Sequence, residues 1–149
     1  MKSIDPALFN ARVEQLWAHR VEDDTIAIRL QPRILSCDAE TPSVTISFPV
    51  LPWELNVNGV VNGGISATML DSVMGTLSYA ISGAFTPTIS LNTSYLRPVP
   101  PEGTLMVRAT ATMAGRAVIY ISGELWEEKD PGRLLVTAQG VFRNLAGTT

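Results

Sequence analysis

The chain has 149 residues, 46% of them hydrophobic and 17% charged, with a formal net charge of -3. That length suits a single compact domain spanning 1–149 with a sizeable core, and the acidic balance excludes an electrostatic nucleic-acid binder. One cysteine, Cys37, excludes an intrachain disulfide and a cysteine-based zinc site.

The first twenty residues carry Lys2, Asp5, Arg12, Glu14, His19 and Arg20. They lack the uninterrupted apolar core of a signal peptide, so the expected location is cytoplasmic. Asp5-Pro6 reads as an N-cap followed by proline at the first helical position. Phe9, Val13, Leu16 and Trp17 then share one face at helical spacing, which predicts an amphipathic helix lying on something larger. His19, the only histidine, falls at the end of that helix and reads as a surface or capping residue.

Two strands are expected next. Ile26, Ile28 and Leu30 alternate with polar or small residues. Val44, Ile46, Phe48 and Val50 alternate after the breaker run Thr41-Pro42-Ser43. Leu51-Pro52-Trp53 ends the second strand and leads to Asn56. From Gly64 to Ala80 runs a helix rich in small and apolar residues, preceded by Asn62 and Gly63 and stopped by Gly83. A helix apolar nearly all round is a buried helix, and Ser, Thr and Asp interrupt this one too often for a membrane span. Its charged residue, Asp71, is costly in such a setting unless paired or functional.

Four strands follow: Thr86–Tyr95, Thr104–Met113, Ala117–Trp126 and Leu134–Arg143. The second puts Leu105, Val107, Ala109 and Ala111 on one face. Ala114-Gly115 and Asp130-Pro131-Gly132 supply turns. Adjacent strands with short turns predict an antiparallel sheet in an α+β fold. A long buried helix needs that sheet to curve around it.

Several pieces form an ordered set. Asn56 is followed six residues later by Asn62-Gly63-Gly64 at the helix start, and Asp71 lies nine residues beyond Asn62. Asn92, Tyr95 and Pro98 then occur in SLNTSYLRP, Gly115-Arg116 at a hairpin, and LLVTAQGVF in the last strand. As a set they resemble the hotdog-fold acyl-CoA thioesterases, in the PaaI-like branch of the phenylacetate pathway. The resemblance covers about 56–142; the first fifty residues match only in outline. It implies a hotdog fold, a curved antiparallel sheet wrapped around a long central helix. It implies acyl-CoA hydrolysis with no metal or bound cofactor, coenzyme A entering only as part of the substrate. The branch usually has His where this chain has Asn62; that His helps orient the thioester end of the substrate.

Thioester hydrolysis needs a donor for the developing oxyanion and a base or nucleophile for attack. The Gly63 N–H, unpaired within the helix and at its positive end, suits the first role. Asp71 suits the second, as general base on water or as direct nucleophile. The two lie eight residues apart on one helix, about 12 Å of rise, so one thioester carbonyl does not reach both. A two-fold homodimer with its central helices side by side brings each Gly63 to the partner's acid. The resemblance implies the same shared site, in a homodimer or a dimer of dimers (a homotetramer). It further implies an orienting role for Asn56 near the oxyanion donor and a hydroxyl at Thr88 that positions the attacking water. Asn62 and Gly64 are candidate substrate contacts. Arg97 and Arg116, with Arg143, are candidates for the coenzyme A phosphates.

Each residue also has a plainer reading. Asp71 satisfies buried polar groups, Gly63-Gly64 is a tight turn, Asn62 caps the helix, Asn56 is a turn residue, Thr88 a strand threonine, and the arginines are solvated charges. Cys37 reads as a packed small side chain. Met69, Met74, Leu77 and Phe85 read mostly as core, a fraction of them as the lining of an acyl pocket. Asn62 also motivates a second function, a non-catalytic acyl-CoA-binding protein; a dehydratase is disfavoured because the helix region has no histidine.

Overall fold

The computed structural model describes residues 4–18 and 24–148; His19 lies outside them. Helix α1 spans Pro6–Ala18. Asp5 caps it by accepting the Leu8 N–H at 3.0 Å, and Phe9, Val13 and Trp17 are its buried stripe. Arg12, beside that stripe, donates to the carbonyls of Ala80 at 2.8 Å and Ile81 at 3.4 Å. These are last-turn carbonyls of the central helix, so a cation sits at that helix's negative end.

The segment expected as a first strand is instead a short helix, α2, Ile26–Arg29. Three apolar residues over five positions are too few to fix a period. The Thr25 hydroxyl accepts the Ile28 N–H, and Arg29 pairs with Asp24 at 2.7 Å. Burial settles the period: Ala27 and Leu30 are buried while Ile26 is 52% exposed, which is i, i+3 and not i, i+2. The first strand, β1, comes later, at Arg33–Asp38.

The other elements lie close to their expected places. Strand β2 is Ser43–Pro49, and a single 3₁₀ turn covers Pro52–Glu54. Helix α3 is Gly63–Ser82, ended by Gly83 at φ 73°, a left-handed position that suits glycine. Strands β3 (Thr88–Tyr95), β4 (Thr104–Ala114), β5 (Val118–Glu127) and β6 (Leu134–Arg143) complete the sheet. All pairings are antiparallel and the order is β1-β2-β4-β5-β6-β3.

The sheet wraps α3, as the resemblance implies. Met69, Leu70, Val73, Met74, Leu77 and Ala80 of α3 are fully buried with Val107, Ile121, Val136 and Phe142 of the sheet. Each such large side chain contributes about 1.5–3 kcal/mol on burial. Close approach depends on two strand glycines. A Cβ at Gly123 would stand 2.9 Å from Leu70 and Met74 side-chain atoms, and one at Gly140 would stand 2.6 Å from Met74. The helix is nonetheless not enclosed all round. Asp71, Ser72, Gly75 and Tyr79, one face at helical spacing, remain partly exposed.

Candidate active site

The start of α3 is built by the loop before it. Glu54 accepts the Asn62 N–H on its carbonyl at 2.8 Å, and Leu55 bridges Val61. Within that loop the Asn56 side-chain oxygen accepts the N–H groups of Asn58 at 2.9 Å and Val60 at 3.4 Å. Asn56 therefore builds the turn with its own carboxamide oxygen. The Glu54 carboxyl is buried; one oxygen accepts the Leu51 N–H at 3.1 Å. Burial pushes its pKa up, partly offset by that hydrogen bond.

Asn62 is the N-cap. Its backbone is extended (φ -60°, ψ 133°) and its Oδ1 accepts the Gly64 N–H at 2.8 Å. The Asn62 carbonyl takes the N–H groups of Ile65 and Ser66 at 2.9 and 3.2 Å. This leaves the Gly63 N–H with no acceptor among the described residues. It lies at the positive end of a 20-residue helix. On its other side Gly63 meets Tyr95, whose hydroxyl donates to the Gly63 carbonyl at 2.7 Å.

Asp71 lies two turns along α3. It is half-buried, not sealed in the core as its apolar neighbours suggested, because it belongs to the open face of the helix. The Thr88 hydroxyl donates to Asp71 Oδ1 at 2.8 Å. Oδ2 has no partner among the described residues. The pair lines a cleft of about 330 Å³. Gly75, Thr76 and Tyr79 extend it along α3, Phe85 and Pro87 flank it from the α3–β3 connection, and Leu16 of α1 closes one side. Phe85 is 72% exposed. Met69, Met74 and Leu77 are fully buried core residues, as their pattern predicts. A hydrogen-bonded carboxylate with one free oxygen in a partly apolar cleft can accept a proton from water or attack an acyl carbon.

The fold thus makes two groups from the sequence candidates. Asn56, Asn62, Gly63 and Gly64 form one, at the helix start, and Asp71 with Thr88 forms the other. Neither Gly63 nor Asn62 lines the Asp71 cleft. The Gly64 N–H is occupied by the cap. None of the three arginines lines the Asp71 cleft: Arg97 donates to the Leu134 carbonyl at 2.6 Å, Arg116 is exposed in the β4–β5 turn, and Arg143 ends β6, its backbone N–H donating to the Pro87 carbonyl at 2.9 Å. The sequence had not given a role to Tyr95 at Gly63, to Arg12 at the far end of α3, or to Tyr79 and Leu16 in the cleft. Tyr79 carried a readable signal, two turns beyond Asp71 on one face. The Tyr95 and Arg12 contacts join residues 32 and 68 positions apart, and local pattern does not report such pairs.

The Thioesterase superfamily model matches residues 58–133. No curated protein matches the chain in sequence. Among solved structures, a phenylacetic acid degradation-related protein of Ralstonia eutropha JMP134 is 30% identical, with a TM-score of 0.77 over 89% of this chain and 98% of that one. The PaaI protein of the E. coli phenylacetic acid degradation operon superposes with a TM-score of 0.78 at 17% identity, over 91% of this chain and 94% of that one. Zebra fish thioesterase superfamily member 2 gives a TM-score of 0.78 at 17% identity, over 89% and 95%. At that identity the last two speak for the fold alone, which is the hotdog fold.

Proposed function

The chain belongs to the Thioesterase superfamily, and from that premise we propose that it hydrolyses an acyl-CoA thioester to the free acid and CoA, at a site shared between two subunits. Membership supports thioester hydrolysis in general. The observation that carries the finer reading is the division within one chain: an unpaired Gly63 N–H at the helix start, and Asp71 with a free oxygen in a cleft that Gly63 does not line.

In this reading the thioester carbonyl of the substrate accepts the Gly63 N–H of one subunit. Asp71 of the other either takes a proton from the water that attacks the carbonyl carbon, or attacks that carbon itself to form an acyl-aspartate anhydride that water then hydrolyses. In both routes the C–S bond breaks and CoA leaves as a thiolate that takes up a proton. Negative charge growing on the carbonyl oxygen meets the helix N-terminus, a fixed donor that need not reorganise. Thr88 holds the carboxylate and stands beside the path of the water. Asn56 orients the loop that carries the donor. The acyl group lies along the cleft beside Gly75, Tyr79 and Phe85. Asn62, already capping the helix, contacts the substrate through its remaining N–H donors, and Arg97 and Arg116 are the first candidates to meet the phosphates of CoA.

Strand β3 favours a dimer as the unit. It lies at a sheet edge, its eight residues include no charged side chain, and Ile89 and Tyr95 are half exposed on it. Its one register shift lies at its start, between Thr88 and Ser90; the rest of the edge, left without charge toward solvent, invites pairing with a second copy. Among the described residues no helix is long and apolar enough to cross a membrane.

The test is free-thiol release from a panel of acyl-CoAs differing in chain length and aromaticity. Release from at least one, saturating with concentration, is expected. Saturable binding of several with no thiol released from any would replace hydrolysis by the non-catalytic binding reading.

A further inference from the structure

We infer that Tyr95 is a positioning residue for the oxyanion donor: its ring and hydroxyl hold the first residue of α3, and so aim the Gly63 N–H. This rests on the thioesterase reading of the site, in which that N–H is the donor.

Gly63 carries the donor on the least constrained residue type. The cap bonds Gly64, Ile65 and Ser66 but not Gly63 itself. What fastens Gly63 is Tyr95. The hydroxyl donates to the Gly63 carbonyl at 2.7 Å. The ring covers its Cα, so that a Cβ there would stand 3.2 Å from two ring carbons and 3.4 Å from the hydroxyl oxygen. The glycine is thus fitted to the tyrosine, and any side chain at position 63 would push the ring away.

A purely structural demand does not explain the bond. A carbonyl in the first helical turn already accepts the N–H four residues on, so Gly63 O is not an orphan that folding must satisfy. Within the single chain Tyr95 is 51% exposed, so folding of that chain alone does not force its hydroxyl to find a partner. The strand that carries it has a second duty. Its first residue, Thr88, binds Asp71, and its last, Tyr95, binds Gly63. One edge strand, held only by β6 among the described strands, therefore sets both reacting ends of the helix. Misplacing a reacting group by about 1 Å can cost on the order of 100-fold in rate.

The test is Tyr95→Phe, which keeps the ring and removes the bond. Relative to wild type, kcat on the best acyl-CoA should fall about tenfold or more, with KM within about twofold and the midpoint of thermal unfolding unchanged within error. Tyr95→Leu, which removes the ring as well, should lose more. A readout independent of turnover is the Gly63 amide in protein labelled with ¹⁵N-glycine. Its resonance should be sharp in wild type and exchange-broadened in Tyr95→Phe. Wild-type kcat with a sharp Gly63 resonance in the variant would overturn the inference. So would a kcat loss matched by a fall in thermal midpoint, since that is a folding defect. If wild type releases thiol from no acyl-CoA, the functional reading fails first. The amide measurement then still decides whether Tyr95 holds Gly63.

Discussion

The two ends of the stretch from Gly63 to Asp71 are built in opposite ways. Around Gly63 the neighbouring backbone is fastened by the Asn62 cap and the Glu54 and Asn56 turn contacts, Gly63 itself is held by the Tyr95 hydroxyl, and its N–H is left over. At Asp71 one carboxylate oxygen is held by Thr88, the other is free, and the surroundings open into a cleft. On the proposed function one end is a donor without a base, the other a base without a donor. About 12 Å of helix separates them. Under that proposal each chain carries two half-sites at the ends of a rigid rod, and a two-fold axis joins the halves of two chains into two whole sites.

The largest break is at the open end. Asp71→Asn keeps an oxygen to accept the Thr88 hydroxyl but loses the base, so kcat/KM should fall about 10²–10⁴-fold. Binding of a non-hydrolysable thioether analogue of acyl-CoA should persist in calorimetry. Retention of half the wild-type turnover would remove Asp71 from the chemistry.

The division between the ends is tested directly by complementation. Gly63→Pro removes the N–H at a position where helices accept proline, after a residue already extended at ψ 133°, and its Cβ also displaces the Tyr95 ring of the same chain. Asp71→Ala removes the acid. Each homodimer should be inactive. Unfolded and refolded together in equal amounts, about half of the dimers are mixed and one of their two sites is intact, so roughly a quarter of wild-type activity should return. Mixing without unfolding is the control for slow exchange. Mixed dimers that form, fold and stay inactive would mean that the site is not shared.

These halves were not equally readable in the sequence. The closed end was largely legible, because capping is local: Asn62 before Gly63-Gly64 and an apolar run specifies a helix start by itself. The open end was legible only in its acid. An apolar helix predicts burial, and Asp71 seemed sealed, because periodicity does not report that the Asp71–Tyr79 face lacks a covering strand. The four strands after α3 were readable from alternation and turn residues. The segment at Ile26–Leu30 was not, since five residues fit period 2 and i, i+3 alike, and the Thr25 cap with the Asp24–Arg29 pair decided for helix. The long-range ties of Tyr95 and Arg12 to α3 exist only once the sheet has closed.

A smaller effect at the closed end is on stability. Asn62→Ala leaves the Gly64 N–H without its cap, which should cost about 1 kcal/mol in urea unfolding, and Asn62→Gly only a few tenths. Thiol release by the alanine variant should fall less than in Asp71→Asn, because the Gly63 N–H itself remains. Equal stability of wild type and Asn62→Ala would mean that the cap contributes nothing.

The finest distinction concerns charge beneath the closed end. Glu54 is fully buried, with one oxygen bonded to the Leu51 N–H and the other unpartnered among the described residues. Burial raises its pKa above the ordinary 4.5. The sign follows from proton linkage. Below that ordinary value the carboxyl is neutral in folded and unfolded chains alike, and its contribution to stability is fully present. As pH rises through the raised folded value, the unfolded chain has already released its proton, folding must bury a charge, and that contribution is lost. Glu54→Gln keeps an oxygen for Leu51 and nearly the same volume, but carries no charge at any pH. The cost of burying its amide N–H groups is independent of pH and shifts the whole curve. The prediction is therefore about slope: measured by urea unfolding at a series of pH values from 4 upward, wild type should lose stability relative to Glu54→Gln until the folded carboxyl has titrated, then run parallel to it. Curves parallel throughout that range would show that the Glu54 carboxyl is not neutral in the folded protein, and that the loop beneath Gly63 accommodates a buried charge.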